Sequence, residues 1–369
     1  RAGCEPWNAL KLSKSLCGNP ESARLWHNNV SSKFEQLGHT KSVAEPCLFH
    51  KETSEKKMVL MVIHVDDGMG VTSVPAQLEE DLRLMKKCCK LESDNLSWHL
   101  GMRMTKGSGK MMIKADAHIE EMAKRFGLVA TRKMSSPHDT SMELTKQCDI
   151  KGDQQRFMEM MGCINCISTA CRPDVSQMAS ALSRHLRDPG SKHLRAAERV
   201  IKCLLWTKDW GIVCEKVNRQ CTGSDKDALA KMKHNGCFDA DFATCKDTRK
   251  SRSGQVLFVD SNLSSWGSKT QPMVALSSFE SETIAASDAS KKANCQRHTM
   301  QEVLSRKSPA TLLRGDNKPC LSSTSSNNYS SARTKHIDVR CKHMHQQVVK
   351  KELAFECVNT KENIADPFT

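Results

Sequence analysis

Apolar residues in this chain recur with two periods, one typical of helices and the other typical of strands. Residues 9–38 carry apolar side chains every three or four positions and end at Gly38, which predicts a helix. The runs CLFHK and KMVLMVIHV are separated by the polar run ETSEK and predict two strands, and the run MGVTS predicts a third. The beginning of the chain is therefore predicted to contain a helix and a small sheet.

Two adjacent carboxylates, Asp66 and Asp67, stand at the end of the apolar run MVIHV and are followed by Gly68. Placing two like charges side by side where water is scarce costs several kcal/mol, roughly, unless a cation or a proton offsets their repulsion. Asp and Gly are also frequent turn residues. The pair is therefore either a turn between two strands or a metal site.

Helical spacing dominates the middle of the chain. Residues 75–90 and 118–128 predict two helices, and residues 154–213 predict a helical layer. Polar segments at 131–153 and 215–236 precede and follow this layer. They predict a division into three domains, 1–135, 136–230 and 231–369.

After the second polar segment the pattern changes to short strands followed by helices. Three strand-like runs, GCFDADF, SGQVLFVD and LSSWGSK, precede a helix predicted over 277–304. A strand TLLRGD, helices near 317–325 and 334–350, a strand LAFECV and a helix beginning near Asn363 follow. This order predicts an α/β layered domain, so the chain as a whole is predicted to be α+β or α/β and multidomain.

The chain is strongly basic. It has 56 Lys and Arg against 42 Asp and Glu, a net charge of +14 and a pI near 9.0. Such a charge favours a polyanionic partner, nucleic acid before membrane, although a basic soluble protein without such a partner has the same composition. Without a membrane-spanning run or a secretory signal, we expect an intracellular protein, in a cytoplasmic particle or the nucleus, that is not secreted.

Cysteine is abundant, with 18 residues at irregular spacings that do not indicate a disulfide framework. The CxxC pair Cys163 and Cys166 has no second pair at a spacing suited to zinc. A zinc-structured protein is therefore the weakest of the functional classes considered.

Four acidic residues of the last domain fall at the ends of predicted elements. Asp239 lies on the first strand, Glu280 in the first turn of the long helix, Asp316 at the end of the fourth strand and Asp366 on the last helix. Carboxylates that converge in this way could hold two divalent cations, which would clamp the attacking water and the leaving oxygen of a phosphodiester.

Three of these acids also have a structural interpretation. Glu280 comes three residues after Ser277 and could complete a capping box. Asp316 could cap the helix that begins near Asn317, and Asp366 could be a first-turn acid. Asp239 is the hardest to explain structurally, because it lies on a short strand that should bury one face.

Ordered sequence blocks over nearly the whole chain resemble the C-terminal part of the Pol polyprotein of copia-type LTR retrotransposons. The blocks include LWH, HVDDG, MAKRFGL, RPDVSQMASALSR, FDADFA, SSWGSKTQPMVALSSFESETIAAS, GDNKPC and NIADPFT. The resemblance implies a partial reverse-transcriptase palm, a helical thumb or connection region, and an RNase H-like mixed sheet with flanking helices.

The resemblance also implies roles for individual residues. Asp66 and Asp67 in HVDDG match two of the three metal-binding aspartates of the polymerase. The RNase H carboxylates would be those at four positions: Asp239, Glu280, Asp316 and Asp366. The implied cofactor is Mg²⁺ or Mn²⁺.

Basic residues near these carboxylates could contact the phosphates of an RNA/DNA hybrid. They are Arg249, Lys250, Arg252 and Lys269.

The third polymerase aspartate is not found upstream, since residues 1–65 contain no Asp. Losing one carboxylate of a two-metal site removes several kcal/mol, roughly, of transition-state stabilisation. We therefore expect no polymerisation by this chain alone, unless the preceding part of the polyprotein or a second Pol chain completes the site.

Two functions follow from these observations. The first is an RNase H module that cuts the RNA strand of an RNA/DNA hybrid. The alternative is a catalytically dead or domesticated transposon remnant that at most binds nucleic acid. His64, Gln255 and Thr283 stand where the family usually has aromatic residues. The change at His64 predicts a less efficient polymerase, and the changes at Gln255 and Thr283 predict weaker packing of the last domain.

Overall fold

The structure, a computed structural model, describes residues 18–134, 136–146, 150–217, 224–305, 307–325 and 335–369. It divides into two compact units, one formed by Arg1–Asn95 with Ser224–Lys226 and the other by Leu96–Gly223 with Asp227–Thr369. No helix in these ranges is both long and apolar enough to cross a bilayer. The prediction of three domains with boundaries near residues 135 and 230 stays a prediction.

The first unit is a four-stranded antiparallel sheet covered by two helices. Its strand order is β1-β2-β3-β4. The elements are α1 (Ser22–Gln36), β1 (Thr40–Lys41), β2 (Leu48–Glu52), β3 (Met58–His64), β4 (Asp67–Thr72) and α2 (Pro75–Cys88). The core combines one face of each helix with the sheet and contains Val30, Phe34, Phe49, Met61 and Met85.

The predicted helix and three strands of this unit are confirmed, the helix with shorter bounds and the strands with bounds shifted by one or two residues. Residues 9–17 of the predicted first helix lie outside the described residues. The two carboxylates stand at a hairpin whose turn consists of Val65 and Asp66, because His64 pairs with Asp67. Val65 has φ of 56°, and its carbonyl accepts a hydrogen bond of 2.6 Å from Trp26 Nε1.

The second unit begins with a helical layer and a small antiparallel sheet. The elements are β5 (Trp98–His99), β6 (Met102–Gly107), β7 (Lys110–Lys114), α3 (Asp116–Phe126), α4 (Gln154–Ala170), α5 (Ser176–Ser183), α6 (Ser191–Trp206) and β8 (Ile212–Glu215). The helices were predicted, and Gly127 ends α3 with a left-handed φ of 65°. The sheet, ordered β5-β6-β7-β8, was not predicted.

A mixed five-stranded sheet with flanking helices completes this unit. A short helix, α7 (Asp225–Ala230), comes first. It is followed by β9 (His234–Asp241), β10 (Arg252–Val259), β11 (Asn262–Thr270), α8 (Ser278–Leu304), β12 (Thr311–Gly315), α9 (Lys318–Ser325), α10 (Lys335–Val349) and β13 (Leu353–Cys357). The order is β11-β10-β9-β12-β13. The neighbours β9, β12 and β13 pair in parallel, and β10 pairs antiparallel with both β9 and β11. The predicted mixed α/β class is confirmed, but the last predicted helix is only two 3₁₀ turns, Thr360–Glu362 and Asp366–Phe368.

Small side chains bring α8 close to the sheet. Its buried face consists of alanines that pack against Phe238, Leu257 and Leu313 of three strands. The alanines are Ala285, Ala286, Ala289 and Ala293. Because alanine has no side chain beyond Cβ, the first turns of α8 can lie close to the ends of β9 and β12.

The end of β12 depends on a glycine. A Cβ on Gly315 would come within 2.5 Å of the Phe238 ring, which is fully buried. We expect Gly315→Ala to lower the free energy of unfolding by about 2 kcal/mol, because overpacking a close-packed core forces neighbouring groups to move. Urea unfolding measures this loss, and Gly107→Ala, where a Cβ would meet nothing within 4 Å, is the control.

Candidate metal centre

Three carboxylates meet at one edge of the five-stranded sheet. One oxygen from each of Asp239, Glu282 and Asp316 lies within 4.8 Å of the others. Asp239 is near the end of β9, and Asp316 follows the end of β12. Because these two strands are parallel neighbours, their ends lie at the same edge, and α8 brings Glu282 to that edge from one face of the sheet.

Asp239 is held by two side chains from the C-terminal residues. Asn363 Nδ2 donates to Oδ1 at 3.3 Å, and Thr369 Oγ1 donates to Oδ2 at 3.0 Å. Burial raises the pKa of Asp239 to about 6; the hydrogen bond from Thr369 opposes the rise, and the charges of Asp316 and Asp366 add to it. The carboxylate is therefore oriented but costly to ionise without a cation.

Glu282 is the most strongly perturbed of the three acids. Burial, together with the charges of Asp239 and Asp316, raises its pKa to about 9. Its Oε2 is buried and has no hydrogen-bond partner. One oxygen of Glu282 lies within 4.8 Å of an oxygen of each aspartate, and a buried carboxylate in such a group is suited to a divalent cation, so the residues present fit the implied metal.

Asp316 is half-buried at the third corner of the group. Its Oδ2 accepts a hydrogen bond of 2.8 Å from Thr360 Oγ1, which belongs to the 3₁₀ turn after β13. The C-terminal residues therefore position both aspartates, Asp239 through Asn363 and Thr369 and Asp316 through Thr360.

Glu280, which the sequence analysis named as a ligand, is not one of the three converging acids. Its Oε2 accepts a hydrogen bond of 2.7 Å from the backbone N–H of Leu276, while Ser277 Oγ accepts one of 3.2 Å from the Glu280 N–H. Glu280 therefore binds backbone at the start of α8, close to its alternative interpretation as a capping-box residue, except that the N–H it accepts from belongs to Leu276 and not to the cap residue Ser277. In its place the structure brings Glu282 to the group.

Helical periodicity gives a signal that distinguishes the two glutamates. Glu282 precedes the buried Ala285 and Ala286 by three and four residues, so it shares the helix face that packs on the sheet. Glu280 is two residues earlier, about 200° away around the helix. The sequence therefore contained the information that selects Glu282, but only once the buried face of α8 was assigned.

Asp366 lies at the rim. It is exposed, begins the 3₁₀ turn Asp366–Phe368 and is not one of the three converging acids. It is still close enough to raise the pKa of Asp239.

Asp66 and Asp67 are exposed at the β3–β4 hairpin of the first unit. Within the described ranges, the one group of three or more potential metal ligands lies on the five-stranded sheet, and it includes neither of these aspartates nor Cys163 or Cys166.

The four basic residues named as phosphate contacts differ in accessibility. Arg252 is buried and donates to Ser180 Oγ at 2.8 Å and Ser268 Oγ at 3.3 Å. It therefore ties the sheet to α5 and does not face solvent. Arg249 and Lys269 are exposed, and Lys250 is partly exposed.

The fold and site are those of a mixed-sheet domain with a carboxylate metal centre, preceded in the chain by a hairpin with paired aspartates. The family described as "Reverse transcriptase (RNA-dependent DNA polymerase)" matches residues 3–140. The Retrovirus-related Pol polyprotein from transposon TNT 1-94 of Nicotiana tabacum is 28% identical over 372 residues, which cover 97% of this chain and 27% of that protein. The corresponding polyprotein from transposon RE1 of Arabidopsis thaliana is 24% identical over 366 residues, covering 99% of this chain and 24% of that protein.

The chain is similar over nearly its whole length to these retrotransposon Pol polyproteins, and it spans about a quarter of their length. Among solved structures, RNase H1 from the archaeon Halobacterium salinarum NRC-1 is 14% identical with a TM-score of 0.26, over 36% of this chain and 90% of that chain. A similarity of this size carries no conclusion about activity.

Proposed function

We propose that the five-stranded sheet domain is a ribonuclease H that hydrolyses the RNA strand of RNA/DNA hybrids with two Mg²⁺ or Mn²⁺ ions. The observation that supports it is the convergence of Asp239, Glu282 and Asp316 with a buried, unpartnered oxygen on Glu282. The similarity to retrotransposon Pol polyproteins supports RNA/DNA hybrids as the substrate class. Asp366 is proposed as a fourth, rim carboxylate.

The cations, when bound, would activate a water molecule and stabilise the leaving oxygen of the phosphodiester. Asp239 and Glu282 would bind them with oxygens held in fixed directions, because Asn363, Thr369 and the Ala240 N–H already orient these carboxylates. Burial of both acids excludes water from one side of the site. The exposed Arg249 and Lys269 would contact phosphates of the hybrid.

We do not propose polymerase activity for this chain by itself. Asp66 and Asp67 match two polymerase aspartates and stand at an exposed hairpin, but within the described residues no third carboxylate joins them. Their matched role therefore depends on parts of the polymerase that this unit does not supply.

Asp239→Asn tests the function directly. We expect the wild-type chain to cleave the RNA strand of a labelled hybrid with Mg²⁺ and Asp239→Asn to be at least about 10³-fold slower, a loss of about 4 kcal/mol of transition-state stabilisation. Asp188→Asn changes an exposed aspartate of the same unit and should leave the rate unchanged.

Two results would overturn the ribonuclease proposal. Equal cleavage by wild type and Asp239→Asn would show that the activity comes from elsewhere. No cleavage by either protein, with both folded, would favour the alternative of a catalytically dead remnant that at most binds nucleic acid.

A further inference from the structure

A buried glutamine joins the sheet to the first turns of α8. Gln271 follows β11, is 2% exposed, and its Nε2 donates to Ser253 Oγ and to the carbonyl of Ser281, each at 2.9 Å. Its own backbone N–H donates to the Ser251 carbonyl at 2.8 Å. The amide nitrogen of Gln271 therefore bridges β10 and α8.

Both ends of this connection lie next to the carboxylate group. Ser281 immediately precedes Glu282. Ser253 pairs with Ala240 across the β9–β10 register, and the Ala240 N–H is hydrogen-bonded to the Glu282 carboxylate. Gln271 thus connects the end of β9 that bears Asp239 with the turn of α8 that bears Glu282.

The side chain is poorly suited to a purely stabilising role. Its Oε1 is buried and has no hydrogen-bond partner. An unsatisfied buried oxygen destabilises a protein by about 1–3 kcal/mol, so an apolar side chain of the same size would fill this space at less cost. The amide is explained if its two donated hydrogen bonds serve the position of α8.

We propose that Gln271 is a positioning residue that holds the first turns of α8 so that Glu282 stays beside Asp239, and that it thereby sets the affinity for the divalent cation. The inference rests on the proposed function, because it assumes that the carboxylate group binds a metal. When Glu282 and Asp239 are both ionised, as ligands of a divalent cation must be, their repulsion in a buried site favours an outward movement of the helix end. The hydrogen bond to the Ser281 carbonyl opposes that movement.

Mn²⁺ binding to the full chain tests the inference without an activity assay. Electron paramagnetic resonance measures the concentration of free Mn²⁺. The Mn²⁺ binding that is lost in Asp239→Asn is the binding at the carboxylate group. We expect Gln271→Met to bind Mn²⁺ there about tenfold more weakly than wild type, the size of effect typical of residues that orient metal ligands. Ser253→Ala, which leaves the bond to Ser281 in place, should weaken binding by only about threefold.

Gln296 supplies a matched control. It also joins the sheet to α8, since its Oε1 accepts a hydrogen bond of 3.3 Å from Ser264 Oγ, but it lies 14 residues beyond Glu282, about 21 Å along the helix. Gln296→Met removes this contact between the sheet and α8 and should leave the Mn²⁺ affinity unchanged.

The outcomes separate the inference from the function. Wild-type Mn²⁺ affinity in Gln271→Met overturns the inference, and so does an equal loss of affinity in Gln296→Met. If Gln271→Met does not fold, an unchanged affinity in Ser253→Ala overturns it instead. Mn²⁺ binding that depends on Asp239 without hybrid cleavage overturns the ribonuclease function and leaves the inference standing, whereas no such binding overturns both.

Discussion

Glu282→Gln is expected to slow hybrid cleavage by at least about 10³-fold, while Glu280→Gln leaves the rate within about threefold of wild type. Glu282 places an unpartnered carboxylate oxygen beside Asp239 and Asp316, and an amide would replace half of this anionic ligand with a donor. Glu280 instead accepts a backbone hydrogen bond at the start of α8, which the amide oxygen of Gln can also accept. Initial rates with saturating Mg²⁺ measure both effects.

The pair forms its own control, because the two substitutions are chemically identical and lie two residues apart on one helix. Thermal unfolding should show that both variants are folded at the assay temperature. If Glu280→Gln proved inactive and Glu282→Gln active, the assignment of ligands from the structure would be wrong and the original sequence prediction would be right.

The metal-free protein should lose stability as the pH rises from about 5 to about 9. Burial raises the pKa of Glu282 from its ordinary 4.5 to about 9, and that of Asp239 from 3.8 to about 6. The folded state therefore binds more protons than the unfolded state in this range, and the free energy of unfolding falls as these protons leave. Mg²⁺ binds the deprotonated folded state, so its stabilising effect should grow over the same range.

Glu282→Gln should remove most of this pH dependence. In chelator, the variant should be more stable than wild type at about pH 8.5 and nearly equal to it at about pH 5, because an amide carries no charge to bury. Urea unfolding at several pH values, with chelator or excess Mg²⁺, measures the difference. Burial lowers the pKa of His185 to about 4, an opposite pH dependence that cancels when the two proteins are compared. Parallel profiles for wild type and Glu282→Gln would contradict the prediction.

At this site, the burial of carboxylates that suits metal binding lowers the stability of the metal-free protein. The same burial that makes Glu282 expensive to ionise leaves its Oε2 without a protein donor, and a cation would relieve both costs. Strain of this kind is retained at functional sites when surrounding contacts fix the geometry.

The elements with strong local signals were predictable from the sequence. The strands and turn around Asp66 and Asp67, the end of α3 at Gly127 and the strand-helix order after residue 231 follow from apolar periodicity and turn residues, which act over a few positions. The sheet that joins β7 to β8 was missed because β8 pairs with a strand about 100 residues earlier, and such pairing leaves no local pattern.

The sequence by itself determined the resemblance to retrotransposon Pol polyproteins, the mixed α/β class and the candidate acids Asp239 and Asp316, because these depend on ordered blocks and on acids at strand ends. Only the tertiary structure decided that Glu282 joins them while Glu280 caps α8, and that Arg252 is buried against Ser180. The physical reason is that a ligand is selected by the direction in which its side chain points. That direction depends on which face of α8 packs on the sheet, and this packing is set by contacts between residues far apart in the chain.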